Sequence, residues 1–190
     1  MRRVRQSIKA GLIVLAVTLG LNACSRYRSV EAARDERQQP AVTPAEQDFM
    51  IKAAQANLAE IDMAQIAKQK TQNADVKDFA NMIESDHTSA LEDLADLMQN
   101  NGMSPSNVLS PDAKADIERM TPLSGAEMDR EFVNAMVADH QKSIGMFRDQ
   151  LNIAQSPDVR KYAEDGLPVL EMHLEKAQKL QSKLFGGGKP

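Results

Sequence analysis

The chain has 190 residues, with 27 acidic against 23 basic side chains and a formal charge of −4. That length bounds it to one domain plus a leader, and the acidic balance excludes nucleic acid, which calls for a basic surface. Aromatics make up only 4 % and tryptophan is absent; the abundant Ala, Leu, Met, Gln, Lys, Glu and Asp favour helices over strands.

MRRVRQSIK opens the chain as a positive segment, and AGLIVLAVTLGL at residues 10–21 follows as an apolar run of twelve. A bilayer span needs about 20 apolar residues, so residues 1–23 read as a signal peptide. The run closes in Leu21-Asn22-Ala23-Cys24, which resembles a bacterial lipobox. The resemblance implies cleavage before Cys24, a diacylglycerol on its thiol and a further acyl chain on the new amino terminus. Two or more chains hold a membrane stably where one does not. Ser25 stands where sorted lipoproteins of the inner membrane carry Asp, so the resemblance implies the outer membrane, facing the periplasm. Cys24 is the only cysteine, so no internal disulfide forms. Losing the leader takes the basic count to 19 against 27 acids, a mature charge of −8. That charge argues against electrostatic docking to anionic lipid. Residues 24–42 are polar and mixed in charge, a tether between anchor and domain.

The domain, residues 43–185, reads as four helices. Thr43-Pro44-Ala45-Glu46 is a capping box with proline at the first helical position, and it starts a helix that runs to about Thr71. Asn73-Ala74-Asp75 starts the second, which stops near Asn100-Asn101-Gly102. A connection with three prolines follows, Ser104 to Gly125, with a short helix over 111–120. Ser124-Gly125-Ala126-Glu127 reads as a second capping box for the third helix. Ser156-Pro157-Asp158 opens the fourth, which Gly186-Gly187-Gly188 ends; residues 186–190 are a loose tail. Gly166-Leu167-Pro168 predicts a bend in that helix. Two hairpins joined by one long crossover give an all-α, ferritin-like four-helix bundle.

A nine-residue phrase recurs, FANMIESDH at 79–87 and FVNAMVADH at 132–140. Spacings of three and four lay a stripe down each helix. The stripes are apolar except at Glu60, His87, His140 and His173, one per helix and each near mid-helix. One carboxylate and three imidazoles at one height form a candidate site for a divalent metal, with zinc, iron, manganese and copper all compatible. Asp86 and Asp139 precede two of the histidines and serve as ligands or as acceptors for an imidazole's other nitrogen. The competing reading is an inert Asp–His layer that fixes register, in an envelope protein whose role is structural or in protein interaction. Met63, Met82, Met136 and Met172 are placed near the core as packing residues rather than copper ligands.

Residues 46–183 resemble the bacterial domain of unknown function 4142 family, through FMIKAAQANLAEIDMAQIA, the SDH and ADH triplets at His87 and His140, and GLPVLEMHLEKA around His173. The resemblance implies a ferritin-like fold in the cell envelope and no established activity. Di-iron bundles use a Glu on each of two helices and Glu-x-x-His on each of the others. Glu84 and His87 fit that spacing, but Val137 and Leu170 stand where the other two helices need Glu. A di-metal oxidase is therefore the weakest reading, and a non-enzymatic metal binder, monomeric or homo-oligomeric, the strongest.

Overall fold

A computed structural model describes residues 41–186 apart from Ser106. The leader, Cys24, nearly all of the tether and residues 187–190 lie outside the described residues. Five helices follow in order: α1 Pro44–Lys70, α2 Ala74–Asn100, α3 Pro111–Met120, α4 Gly125–Ile153 and α5 Pro157–Phe185. None of the described helices is long and apolar enough to cross a membrane.

The starts follow from capping chemistry. Thr43 accepts from the Glu46 amide at 3.2 Å, and the Glu46 carboxylate accepts from the Thr43 amide at 2.7 Å, which satisfies two of the orphan donors every helix start carries. Asn73, Ser110 and Ser156 cap α2, α3 and α5 with their side chains. Ser124 does not cap α4, against the sequence expectation. Gly125 follows it at φ +57, and this left-handed step, which glycine takes without a Cβ penalty, accompanies a start at which the hydroxyl meets no amide.

Three-residue turns make hairpins of α1 with α2 and of α4 with α5. Across the bundle α1 packs on α4 and α2 on α5, while α3 lies over α1 and α4. Adjacent helices are antiparallel. Thr71 at the end of α1 bonds Asp129 at the start of α4, and Lys183 near the end of α5 pairs with Asp75 at the start of α2. The connection from α2 to α4 therefore travels the length of the bundle, and α3 is its ordered part.

The core has two apolar clusters. One gathers Met63, Val76, Phe79, Ile83, Phe132 and Met136 under Met120 of α3. The other gathers Phe49, Met50, Leu94, Met98, Phe147 and Leu170, with the Phe49 and Phe147 rings edge-to-face at 5.1 Å. A Cβ at Gly166 would come within 2.7 Å of the Phe147 ring, so glycine lets α5 sit against that ring. Helix α5 continues through Pro168. Pro168 and Glu164, whose carbonyl loses its amide partner there, both face solvent, so water can serve that carbonyl. Met63 and Met136 are buried and Met82 packs at the core edge, but Met172 is 38 % exposed. It neighbours the inward His173, and one residue turns about 100° round a helix.

Candidate metal centre

Between the clusters lies a polar layer. Glu60, His87, His140 and His173 are all buried, at 4 % exposure or less, one from each long helix. The three ring centroids form a near-equilateral triangle with sides of 5.3 to 5.4 Å. One nitrogen of each ring lies within 4.8 Å of the other two. Glu60 Oε2 is 2.8 Å from His87 Nε2, and Glu60 Oε1 is 3.8 Å from His140 Nδ1.

The outer nitrogens decide the protonation pattern, because each hydrogen-bond chain ends in an acceptor. His140 Nδ1 donates to the Met136 carbonyl at 2.9 Å, leaving Nε2 bare. His173 Nε2 donates to Asp86 Oδ2 at 2.9 Å, leaving Nδ1 bare. His87 is set by a longer chain. The Ala90 carbonyl accepts from the Tyr162 hydroxyl at 3.3 Å. The Tyr162 oxygen then accepts from Asn57 Nδ2 at 3.4 Å, which turns Asn57 Oδ1 to His87 Nδ1 at 2.7 Å. In the neutral ring Nε2 is then bare. Burial pushes the Tyr162 hydroxyl up to about 12, so it stays a donor.

Thus His87 Nε2, His140 Nε2, His173 Nδ1 and both Glu60 oxygens are buried without a hydrogen-bond partner. His87 and Glu60 face each other at 2.8 Å as an ion pair that is off-line for a straight hydrogen bond, and the carboxylate draws a proton onto His87. Lone pairs held together in a low dielectric are costly unless a cation stands among them. Burial raises the Glu60 carboxyl, but His87 and His140 outweigh it and hold it down at about 2. Burial lowers His87, but the facing Glu60 carboxylate raises it further, so the net shift is upward. Burial lowers His140 and takes His173 down to about 4.

The two Asp-His pairs diverge. Asp86 reaches across to α5 and holds His173. Asp139 meets no imidazole; it lines a cleft of about 420 Å³ between α1, α3 and α4, together with Glu60, Asp112 and Asp116. Burial, with Glu60 and Asp116 nearby, pushes the Asp139 carboxyl up to about 7. Glu84 turns outward to Lys68 and Gln65, so the one Glu-x-x-His spacing in the bundle is not a ligand pair. Sequence reasoning missed Asn57, Tyr162 and the Met136 carbonyl. Asn57, three residues before Glu60 and so on the same helical face, was the one with a visible signal.

A family model described as a domain of unknown function, DUF4142, matches residues 31–180. The chain belongs to the DUF4142 family. No curated protein matches it. Two solved structures share the fold. A DUF305 fragment from Deinococcus radiodurans has a TM-score of 0.69 at 18 % identity, covering 76 % of this chain and 99 % of that one. A DUF305 protein from Streptomyces coelicolor has a TM-score of 0.66 at 11 % identity, covering 77 % and 96 %. At these identities the likeness speaks for the fold alone. In this DUF4142 chain the central layer is the only group of three or more close metal-binding side chains among the described residues.

Proposed function

We propose that this DUF4142 protein is a non-enzymatic lipoprotein of the cell envelope that holds one divalent transition metal in its bundle. The ligands are Glu60, His87, His140 and His173. The leader and the lipobox-like Leu21–Cys24 support anchoring through Cys24 at the outer membrane, facing the periplasm. The observation that carries the metal reading is the direction of the hydrogens. Three separate chains, ending at Ala90, Met136 and Asp86, pin one hydrogen of each ring outward, which leaves His140 Nε2 and His173 Nδ1 bare and, once its proton is displaced, His87 Nε2 free beside the Glu60 carboxylate.

With the His87 proton displaced, three nitrogens and a carboxylate exceed the two hydrogens that a buried water donates. Imidazole and carboxylate together suit zinc, iron, manganese or copper. Metal–nitrogen bonds of about 2.1 Å require the rings to close in from their 4.8 Å spread. Asn57, Met136 and Asp86 hold the rings from behind, as outer partners of metal-bound histidines do. A single carboxylate in the layer supports a holding site over a di-metal oxidase.

The test is elemental analysis of the full-length protein after exposure to Zn, Fe, Mn and Cu in turn, beside His87→Ala/His140→Ala. One metal per chain in the parent, lost in the variant, is expected. A folded parent with no metal would sink this reading. It would favour a structural or interaction lipoprotein with an inert layer, whose support is the 2.8 Å His87–Glu60 contact.

A further inference from the structure

The cleft beneath the crossover helix reaches the buried layer. Its walls come from α1, α3 and α4, and Glu60 is among its lining residues. Glu60 is 1 % exposed; its Oε2 faces His87 Nε2 at 2.8 Å, and its Oε1 has no hydrogen-bond partner. Of the other carboxylates, Asp112 is exposed, while Asp116, with its side chain 30 % exposed, and Asp139 are half-buried. Asp139 makes no ion pair or hydrogen bond among the described residues, while Asp116 is held by Arg119 at 2.6 Å. Two lysines share the lining, Lys52 and Lys142, and Lys52 already pairs with Asp48 at 2.6 Å. Two further grooves, between α2 and α5 and between α4 and α5, have no ligand of the layer in their lining.

We propose that this cleft is the route by which a divalent cation enters and leaves the centre, with Asp112, Asp116 and Asp139 as successive carboxylate stations outside Glu60. The inference rests on the metal reading above and adds the path. A narrow cleft with an excess of one charge concentrates the opposite ion and speeds its arrival about tenfold or more. A cation shed of part of its water needs oxygen donors along the way, and hard carboxylates supply them. Helix α3 contributes Asp112 and Asp116 but no ligand. Changing these two therefore alters the rate of loading and not the occupancy reached.

The test uses the full-length protein and cobalt(II), followed by its visible absorption after rapid mixing. Asp112→Asn/Asp116→Asn should load about tenfold more slowly at low salt, with a shallower dependence on ionic strength, and still reach one cobalt per chain. Lys142→Glu, which adds an acid to the cleft wall, should load faster than the parent and keeps the test decisive if the double variant folds poorly. Equal loading rates in all three proteins, at full occupancy, would overturn the route and leave the metal centre standing. A parent that takes up no cobalt would overturn both.

Discussion

Helix α1 buries two glutamates about four turns apart, Glu46 and Glu60, each 1 % exposed. Their surroundings are opposite. Glu46 accepts from three backbone amides, Thr43 at 2.7 Å, Gln155 at 2.8 Å and Ser156 at 2.7 Å, so it ties the start of α1 to the turn between α4 and α5. Glu60 accepts from no amide and faces His87 Nε2 at 2.8 Å and His140 Nδ1 at 3.8 Å. Burial raises both carboxyls. Amide hydrogens bring Glu46 back down, and imidazole charge does so for Glu60. The same residue at the same exposure is thus architecture where amide hydrogens meet it and, in the proposed metal reading, a ligand where imidazoles do.

The contrast is broken most severely at the cap. Glu46→Ala orphans three amides, one of them the buried Ser156 N–H, and each buried orphan costs about 1–3 kcal/mol. A loss of about 3 kcal/mol or more in urea unfolding is expected. Glu60→Gln should do the reverse in metal-free protein above the His87 pKa, where the layer holds acceptors without donors and the Gln amide brings two. Unchanged or increased stability is the expected result, with metal uptake weakened. If Glu60→Gln destabilised the metal-free protein as much as Glu46→Ala, the layer would already be satisfied without a cation.

The two glutamates were not equally legible. Glu46 stood in a capping box that sequence spacing reveals, but its second task, holding the Gln155 and Ser156 amides, depends on a helix-to-helix approach more than 100 residues away. The ring of Glu60, His87, His140 and His173 was legible because spacings of three and four carry it onto one face of each helix, and mid-helix positions share a height. Asp86 and Asp139 looked equivalent in the repeat. They separate because α2 neighbours α5, which presents His173, whereas Asp139 turns to α1 and α3, which present no imidazole. Asn57 and Tyr162 were missed because an outer-shell chain is set by side-chain orientation across helices. Periodicity reports faces, not orientation. The Ser124 cap failed for a backbone reason, the left-handed Gly125.

A second break targets the outer partners. Asn57→Leu removes the acceptor from His87 Nδ1, and Asp86→Asn weakens the hold on His173. Outer partners of this kind are worth about 10–100-fold in metal affinity, so both variants should stay folded and lose affinity by that factor in competition titrations with a chelator. An unchanged affinity in both would mean that the rings need no support from behind.

Protons sharpen the comparison further. Facing Glu60, His87 holds a proton above the ordinary histidine range, whereas His173, at about 4, holds none near neutrality. A metal arriving below the His87 pKa must displace that one proton. Affinity should then fall by up to about tenfold per pH unit there, and calorimetry in buffers of different ionisation heat should find close to one proton released per metal. Glu60→Gln, which removes the charge that raises His87, should reduce that release. Release of two or more protons from Asp139→Asn, which lacks the other group that a cation near Glu60 could deprotonate, would place charge on His140 or His173 as well.

The last effect belongs to Asp139. Its carboxyl stands at about 7 in the folded protein, raised first by burial and then by Glu60 and Asp116, against an ordinary 3.8. The folded chain therefore keeps a proton that the unfolded chain gives up between about pH 4 and pH 7. Stability from this group falls as pH rises through that window. Asp139→Asn stays neutral throughout, so it should match the parent near pH 4 and exceed it above pH 7. The layer enters here as well, because Glu60 is one of the charges that press on Asp139. A divalent cation on Glu60 offsets that charge and lets Asp139 ionise more readily. The stability difference between variant and parent above pH 7 should accordingly shrink when zinc is added. A difference that ignored zinc would mean that no cation sits close enough to Glu60 for Asp139 to feel it.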